Sequence, residues 1–203
     1  MVYSEFTVGK INLLRNGEMK LLEINGIKAL LYRNEDKYYA TGAVCTHYGG
    51  PLEEGYLDGN NIVCPWHQSC FNIKNGNRVE PPALDPVLSY EVFLKGEKII
   101  IKLPEETEAV PTIKSGLSDT TDVRNFLIIG GGAAGCMAAI TLREKGFMGN
   151  VTIITRENRT PYDRPNLSKD FLAGNAKPEW MPLRSDDFYE ENRIKFLLNQ
   201  QHA

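Results

Sequence analysis

Two short stretches constrain this chain more than any others: Cys45-Thr46-His47 and Cys64-Pro65-Trp66-His67. Each offers one thiolate and one imidazole, both good ligands for soft or borderline metals. Sixteen residues, Tyr48 to Val63, lie between them. That length suits a hairpin that returns the second stretch beside the first. The four donors can then hold a metal group in one of two ways. One is a single four-coordinate zinc. The other is a two-iron cluster with thiolates on one iron and imidazoles on the other. A zinc finger usually draws its cysteines from one knuckle and its histidines from a helix. Here each stretch supplies one donor of each kind. This suits two irons, with Cys45 and Cys64 on one, His47 and His67 on the other.

The surroundings read as all-β from residue 1 to about 103. Leu21–Ile24 and Ile27–Tyr32 flank Asn25-Gly26, a dipeptide that tolerates the positive φ of a tight hairpin. Lys37–Ala40 leads into the first Cys/His stretch. Asp58-Gly59 turns the chain into Ile62-Val63 and the second. Phe71–Ile73 precedes Asn75-Gly76, and two last strands, Tyr90–Leu94 and Lys98–Lys102, flank Lys95-Gly96. Short strands with turn signals at this spacing predict a small antiparallel sandwich or barrel. Cys70 and Cys136 read as buried structural thiols, and Trp66 as packing that shields the site from water.

The segments Cys45-Thr46-His47-Tyr48-Gly49-Gly50-Pro51-Leu52 and Cys64-Pro65-Trp66-His67 resemble the Rieske family. The resemblance implies a [2Fe–2S] cluster held by Cys45, His47, Cys64 and His67. It also implies an all-β domain with both cluster loops at one tip and the imidazole edges near solvent. Respiratory Rieske proteins carry an extra cysteine in each loop, and the two form a disulfide. Gly50 and Trp66 occupy those places here. The likeness is therefore to Rieske ferredoxins and oxygenase domains, which implies a lower potential within the family's range. Ser69 stands where high-potential members place a hydroxyl that bonds a cluster sulfur, and Gln68 where the family often has glycine.

Composition changes after residue 103. Pro104 to Asp122 is rich in Glu, Ser, Thr and Asp, lacks periodicity and reads as a linker over 104–122. From 123 the pattern becomes β-α-β. Phe126–Ile129 is a continuous apolar run, as expected of a buried parallel strand. Gly130-Gly131-Gly132-Ala133-Ala134-Gly135 follows, then a helix through Lys145 with Gly146 at its C-terminal cap. Val151–Ile154 is a second strand. Ser185 is placed to cap a short helix through Asn192, and Ile194–Leu198 to form a third strand.

Gly130, Gly132 and Gly135 form G-x-G-x-x-G between a strand and a helix. The first permits the tight turn, the second lets backbone approach a pyrophosphate, and the third lets helix and strand pack closely. The helix N-terminus then faces the phosphates. Glu157, 22 residues beyond Gly135, is placed to accept hydrogen bonds from a ribose. It is preferred to Arg156, which offers a phosphate contact. FAD and NAD share this fingerprint. Pro161-Tyr162-Asp163-Arg164-Pro165-Asn166-Leu167-Ser168-Lys169 resembles the P-Y-x-R-P-x-L-S-K stretch of flavoprotein reductases related to apoptosis-inducing factor and to the ferredoxin reductases of aromatic dioxygenase systems. That resemblance implies FAD, with Arg164 and Lys169 along it.

The expected fold is thus two domains: an all-β Rieske-type antiparallel sandwich over 1–103, then an incomplete α/β Rossmann-type FAD-binding domain over 123–203. The order resembles apoptosis-inducing-factor-like proteins with an N-terminal Rieske domain. No second glycine fingerprint for NAD(P)H follows Gly135, so the chain is expected to be truncated, with NAD(P)H entering only if that domain is supplied. The implied function is electron transfer from NAD(P)H through FAD to the cluster and on to an unspecified redox partner. The alternative is a Rieske-type ferredoxin carrier whose C-terminal part is inactive or docks a partner. No catalytic residue is assigned. A net charge of −3 with interspersed signs argues against nucleic acid. No apolar run approaches the ~20 residues of a membrane span. A cytoplasmic location is expected, since Met1-Val2-Tyr3-Ser4-Glu5 has no cationic region followed by an apolar one, and in such a chain few, His-clustered cysteines favour metal ligation over disulfides.

Overall fold

The computed structural model of the chain describes residues 2–105 and 122–201. Most of the expected linker, residues 106–121, and His202 lie outside them. The chain divides into two compact units, Met1–Thr112 and Ile113–Ala203.

The first unit is an all-β antiparallel sandwich. Its strands are β1 (Tyr3–Lys10), β2 (Met19–Ile24), β3 (Ile27–Asn34), β4 (Lys37–Gly42), β5 (Tyr56–Asp58), β6 (Asn61–Val63), β7 (Cys70–Asn72), β8 (Arg78–Glu80), β9 (Ser89–Tyr90), β10 (Val92–Lys95) and β11 (Lys98–Pro104). They form three sheets, ordered β1-β11-β10, β2-β3-β4-β9 and β5-β6-β7-β8. β3 shows why the layers stack. Successive side chains of a strand point to opposite faces. Ala29 and Leu31 enter a core with Ile99, Ile101 and Leu103 of β11. Leu30 and Tyr32 enter a second core with Ile62, Phe71 and Ile73 beside the third sheet. A strand buried on both faces reads as a continuous apolar run, which Ala29-Leu30-Leu31-Tyr32 is.

The turn signals sit where the sequence puts them. Asn25 and Gly26 both have positive φ, 51° and 79°, between the paired residues Ile24 and Ile27. β1 has no such signal. It is held by pairing with β11 from the far end of the unit, Tyr3 opposite Pro104.

The second unit has β12 (Asn125–Ile129), α1 (Ala133–Glu144), β13 (Asn150–Ile154), α2 (Arg164–Asn166), α3 (Asp186–Glu191) and β14 (Ile194–Leu197). The sheet is parallel, ordered β12-β13-β14. Gly146, φ 78°, follows α1 as expected. Ser185 caps α3 by accepting the Phe188 N–H at 3.2 Å. Cys136, Ala139 and Ile140 of α1 pack with Val151, Ile153, Phe188, Tyr189 and Ile194. One expectation fails. β12 is parallel but not buried, with Leu127 65% and Ile129 74% exposed. α1 and α3 pack on the face that carries Ile128, Val151 and Ile153, so the alternate residues face the uncovered side. Among the described residues no helix is long and apolar enough to cross a membrane.

Candidate functional site

The two Cys/His loops are closed by the same backbone pattern. In the first, the Cys45 N–H donates to Gly50 O at 2.8 Å and the Gly49 N–H to Cys45 O at 3.0 Å. In the second, the Cys64 N–H donates to Ser69 O at 2.9 Å and the Gln68 N–H to Cys64 O at 3.1 Å. Each cysteine therefore starts a loop whose fourth and fifth following residues return to it. The loops match although one reads C-x-H and the other C-x₂-H. The first is anchored by the Val44–Pro51 bridge, the second by the β6–β7 hairpin, with Val63 opposite Cys70. Thr46 ties the first loop to a third, 81–87, by donating to Asp85 O at 2.7 Å.

Gly49 and Gln68 are equivalent in this pattern, and both are left-handed, with φ 72° and 62°. Gln68 carries a side chain where glycine is the natural choice. Gln68→Gly is expected to stabilise the first unit by about 0.5–1 kcal/mol, the left-handed penalty less the extra freedom of glycine in the unfolded chain. A thermal midpoint that falls would contradict this.

The donors come together in like pairs. Cys45 and Cys64 are both 2% exposed and belong to one core, and their thiols are within hydrogen-bonding reach. The His47 and His67 rings are 4.9 Å apart and nearly perpendicular, at 84°. His67 is exposed and His47 half-buried. A Cβ on Gly50 would lie 2.9 Å from the Cys64 Sγ, so the cradle around that sulfur leaves no room for another side chain. Among the described residues no three His, Cys, Asp or Glu side chains converge on one metal position. A two-iron group needs two pairs, and pairs are what the loops present.

Burial pushes the Cys45 thiol pKa up, and the neighbouring Cys64 adds to this; the His47 N–H and the Ser69 hydroxyl oppose it. Metal charge is what converts such a thiol to thiolate. Ser69 is fully buried and accepts the Ala83 N–H at 2.9 Å, which leaves its own proton for the Cys45 sulfur. Cys70 lies on β7, buried but outside the core that holds the two other cysteines. Trp66 differs from expectation. Its ring edge lies against Gly50, yet the residue is 54% exposed, because the residues around it in loop two also face solvent.

The glycine loop has the geometry its sequence requires. Gly130 has φ 116°, open only to glycine. A Cβ on Gly135 would lie 2.0 Å from Gly130 O. Gly132 opens α1, and the nearest atom to its Cβ position is Arg164 Nη2 at 3.7 Å. Arg164 pairs with Glu157 at 2.5 Å. Glu157, Arg164 and the glycines are thus brought together. Lys169 is exposed, and no hydrogen bond or ion pair joins it to them among the described residues. Three supporting residues carry no motif signal. Thr155 backs Gly131 and caps the Glu157 N–H at 3.2 Å. Asp163 caps α2 through the Asn166 N–H at 3.3 Å, and Asn166 accepts the Phe171 N–H at 3.2 Å. Asp and Asn at such caps are common enough that sequence alone does not mark them as functional.

These loops and folds match known families. The Rieske [2Fe-2S] domain family matches residues 4–91, and the pyridine nucleotide-disulphide oxidoreductase family matches residues 124–203. The chain belongs to the Rieske family, its first unit joined to a pyridine nucleotide-disulphide oxidoreductase segment. It is 31% identical over 87 residues to the naphthalene 1,2-dioxygenase system ferredoxin component of Pseudomonas aeruginosa, of which it covers 84%. It is 35% identical over 204 residues to apoptosis-inducing factor 3 of Mus musculus, covering 97% of this chain and 33% of that protein. Apoptosis-inducing factor 3 of Homo sapiens is 34% identical over the same length. The chain thus spans about a third of the length of these two relatives. The family memberships carry a [2Fe–2S] cluster for the first unit, imply FAD for the second in full-length form, and define an electron-transfer class.

Proposed function

We propose that Cys45 and Cys64 bind one iron and His47 and His67 the other, in a Rieske domain over 1–103. Past a linker over 104–122, a Rossmann-type domain from 123 holds FAD through Gly130, Gly132, Gly135, Glu157, Arg164 and Lys169. In the longer protein electrons run from NAD(P)H through FAD to the cluster. The like-with-like pairing of thiols and imidazoles carries this reading. When bound, FAD accepts a hydride pair and the cluster carries single electrons. The chain's own residues provide the rest. The buried thiols keep water from one side of the metal group. The exposed His67 edge gives the other side an exit to a partner. Glu157 presents a carboxylate to ribose hydroxyls, while Arg164, beside Gly132, pairs with it and neutralises it.

An iron, sulfide and flavin count on the purified chain, followed by anaerobic NADH titration, tests the reading. Two irons and two sulfides per chain are expected. Zinc in their place would overturn it. Gly135→Val is expected to abolish flavin retention, because its Cβ meets backbone oxygen rather than a side chain that can turn away. Retained flavin in that variant would remove the glycine loop from the site.

A second reading treats the first unit as a ferredoxin-type carrier that works without a flavin. The likeness of the first unit to the ferredoxin component of a naphthalene 1,2-dioxygenase system, 84% of which it covers, supports it. Iron without flavin in the purified chain selects this carrier.

A further inference from the structure

Two strand edges in the first unit face each other without pairing. β4 pairs with β9 only at Ala40–Tyr90 and Thr41–Ser89. Its first residues, Lys37 to Tyr39, therefore have β3 on one side and, among the described residues, no strand on the other. β10 is the end strand of the β1-β11-β10 sheet. In an antiparallel pair, alternate residues point their N–H and C=O at the same neighbour. The Gly42 N–H donates to Leu88 O at 2.8 Å, which puts Gly42, Ala40 and Tyr38 on the side away from β3. The Lys102 N–H donates to Glu91 O at 2.9 Å. Glu91 and Phe93 then point at β11, and Val92 and Leu94 point away from it. The backbone groups of Tyr38, Val92 and Leu94 thus lie along the two open edges.

These edges bound a groove of about 400 Å³, lined by residues 36–40 and 90–94 and by Lys74 from the turn between β7 and β8. No residue of either Cys/His loop lines it. The rings of Tyr39 and Phe93 are half-buried in it, and Leu94 is 44% exposed. Val92-Phe93-Leu94 carries none of the charges or prolines that guard exposed edges. The charges around the groove are uneven. Asp36 pairs with Arg33 at 2.9 Å, and Glu91 with Lys102 at 3.0 Å. Lys37 and Lys74 are exposed and have no carboxylate partner among the described residues. Lys74 Nζ stands 5.9 Å from the centre of the Tyr39 ring. Two unneutralised cations beside two unfilled strand edges call for an acidic, extended occupant.

We propose that this groove takes an extended acidic segment of a protein partner, which adds to the free edge of β10 as a short strand. The segment hydrogen-bonds to Val92 and Leu94, with the Tyr38 backbone across the groove. Successive side chains of a strand point to opposite faces. One set, apolar, packs beside the Val92 and Leu94 side chains. The other set, acidic, faces Lys37 and Lys74, which lie on the side of Tyr39 and Phe93. Backbone pairing supplies the affinity, and the two lysines select the charge of the segment. The site uses no metal donor and no glycine-loop residue, so it stands apart from the electron-transfer reading.

Amide hydrogen exchange on the metal-loaded full chain tests the groove. The probes are two capped pentapeptides, one alternating valine with glutamate and the other valine with lysine. At about ten times its Kd the glutamate peptide is expected to slow exchange at Val92 and Leu94 about tenfold, since about a tenth of the chain is then unbound. It is expected to bind about tenfold tighter than the lysine peptide at low salt, as two exposed ion pairs replace two repulsions. Salt is expected to shrink that advantage. The double variant Lys37→Glu/Lys74→Glu is expected to reverse the preference. Leu94→Pro removes an edge N–H that points away from β11, so the existing ladder survives; it is expected to weaken binding more than tenfold while the first unit still unfolds cooperatively on heating. Equal affinity for the two peptides, binding that survives Leu94→Pro, or no protection of Val92 and Leu94 at millimolar peptide would overturn the proposal. A dimer of the chain that Leu94→Pro breaks apart would overturn it as well, by giving the edge to a second copy.

Discussion

Gly50→Val is expected to strip the first unit of its iron while leaving its sheets folded. The Cβ position on Gly50 is 2.9 Å from the Cys64 Sγ and 3.2 Å from the Trp66 ring. Gly50 does not have positive φ, so the backbone accepts valine and the conflict is with the two side chains. Trp66 is half-exposed and can swing away. The Cys64 sulfur is buried on a closed loop and cannot move without leaving its metal position. Iron content is expected to fall by more than tenfold, since a sulfur displaced by ~0.5 Å breaks the tolerance of about 0.2 Å that a metal–sulfur bond allows. The neighbouring Gly49→Ala is the contrast. Nothing lies within 4 Å of its Cβ position, and φ is 72°, so it costs about 1 kcal/mol of backbone strain and keeps its iron. Full iron occupancy in Gly50→Val would show that the cradle is looser than described.

Arg143→Met is expected to unfold the α/β unit with little effect on the β unit. Arg143 is 3% exposed. Its guanidinium donates to Asn192 O at 2.7 Å, Phe147 O at 2.7 Å, Gly149 O at 3.0 Å and Arg193 O at 2.8 Å. Those carbonyls belong to the ends of α1 and α3 and to the turn before β13. Each is a group that a helix end or turn leaves without a partner, and a cation suits the negative end of both helix dipoles. Burial lowers the Arg143 pKa, yet a guanidinium keeps its charge. Methionine fills most of the volume and supplies no donor. Leaving several buried carbonyls unpaired is expected to cost about 3–5 kcal/mol, a large share of the stability of a small unit. Two calorimetric transitions with only one displaced would bear this out. An unshifted scan would mean that water replaces the guanidinium without loss.

Much of this was legible in the residues. The hairpins at Asn25-Gly26 and Lys95-Gly96, the β-α-β unit and the caps at Ser185 and Gly146 follow from local backbone preferences, which neighbouring residues alone decide. So does the pairing of the two Cys/His stretches, since their spacing leaves a hairpin as the simple way to join them. β1 was hidden because its partner, β11, lies about a hundred residues away and no turn connects the two. The exposure of β12 was hidden for a related reason: an apolar run states what a strand can bury, not whether anything arrives to cover it. Arg143 reads as an ordinary helix arginine until α3 and the turn before β13 fold over it.

The chemistry of the Cys/His loops shows the same division. By itself the sequence determined which donors are present, and that each of two short stretches carries one thiolate and one imidazole. These are properties of residue type and short-range spacing. Only the tertiary structure decided how close the like donors stand, with the imidazole rings 4.9 Å apart, because that depends on how the two loops are set against each other by the core around Leu30, Phe71 and Ile73. It also decided that Trp66 faces solvent, 54% exposed, where the sequence suggested a shield over the site. Exposure is a relation between a side chain and everything packed around it, and no single stretch of chain contains it.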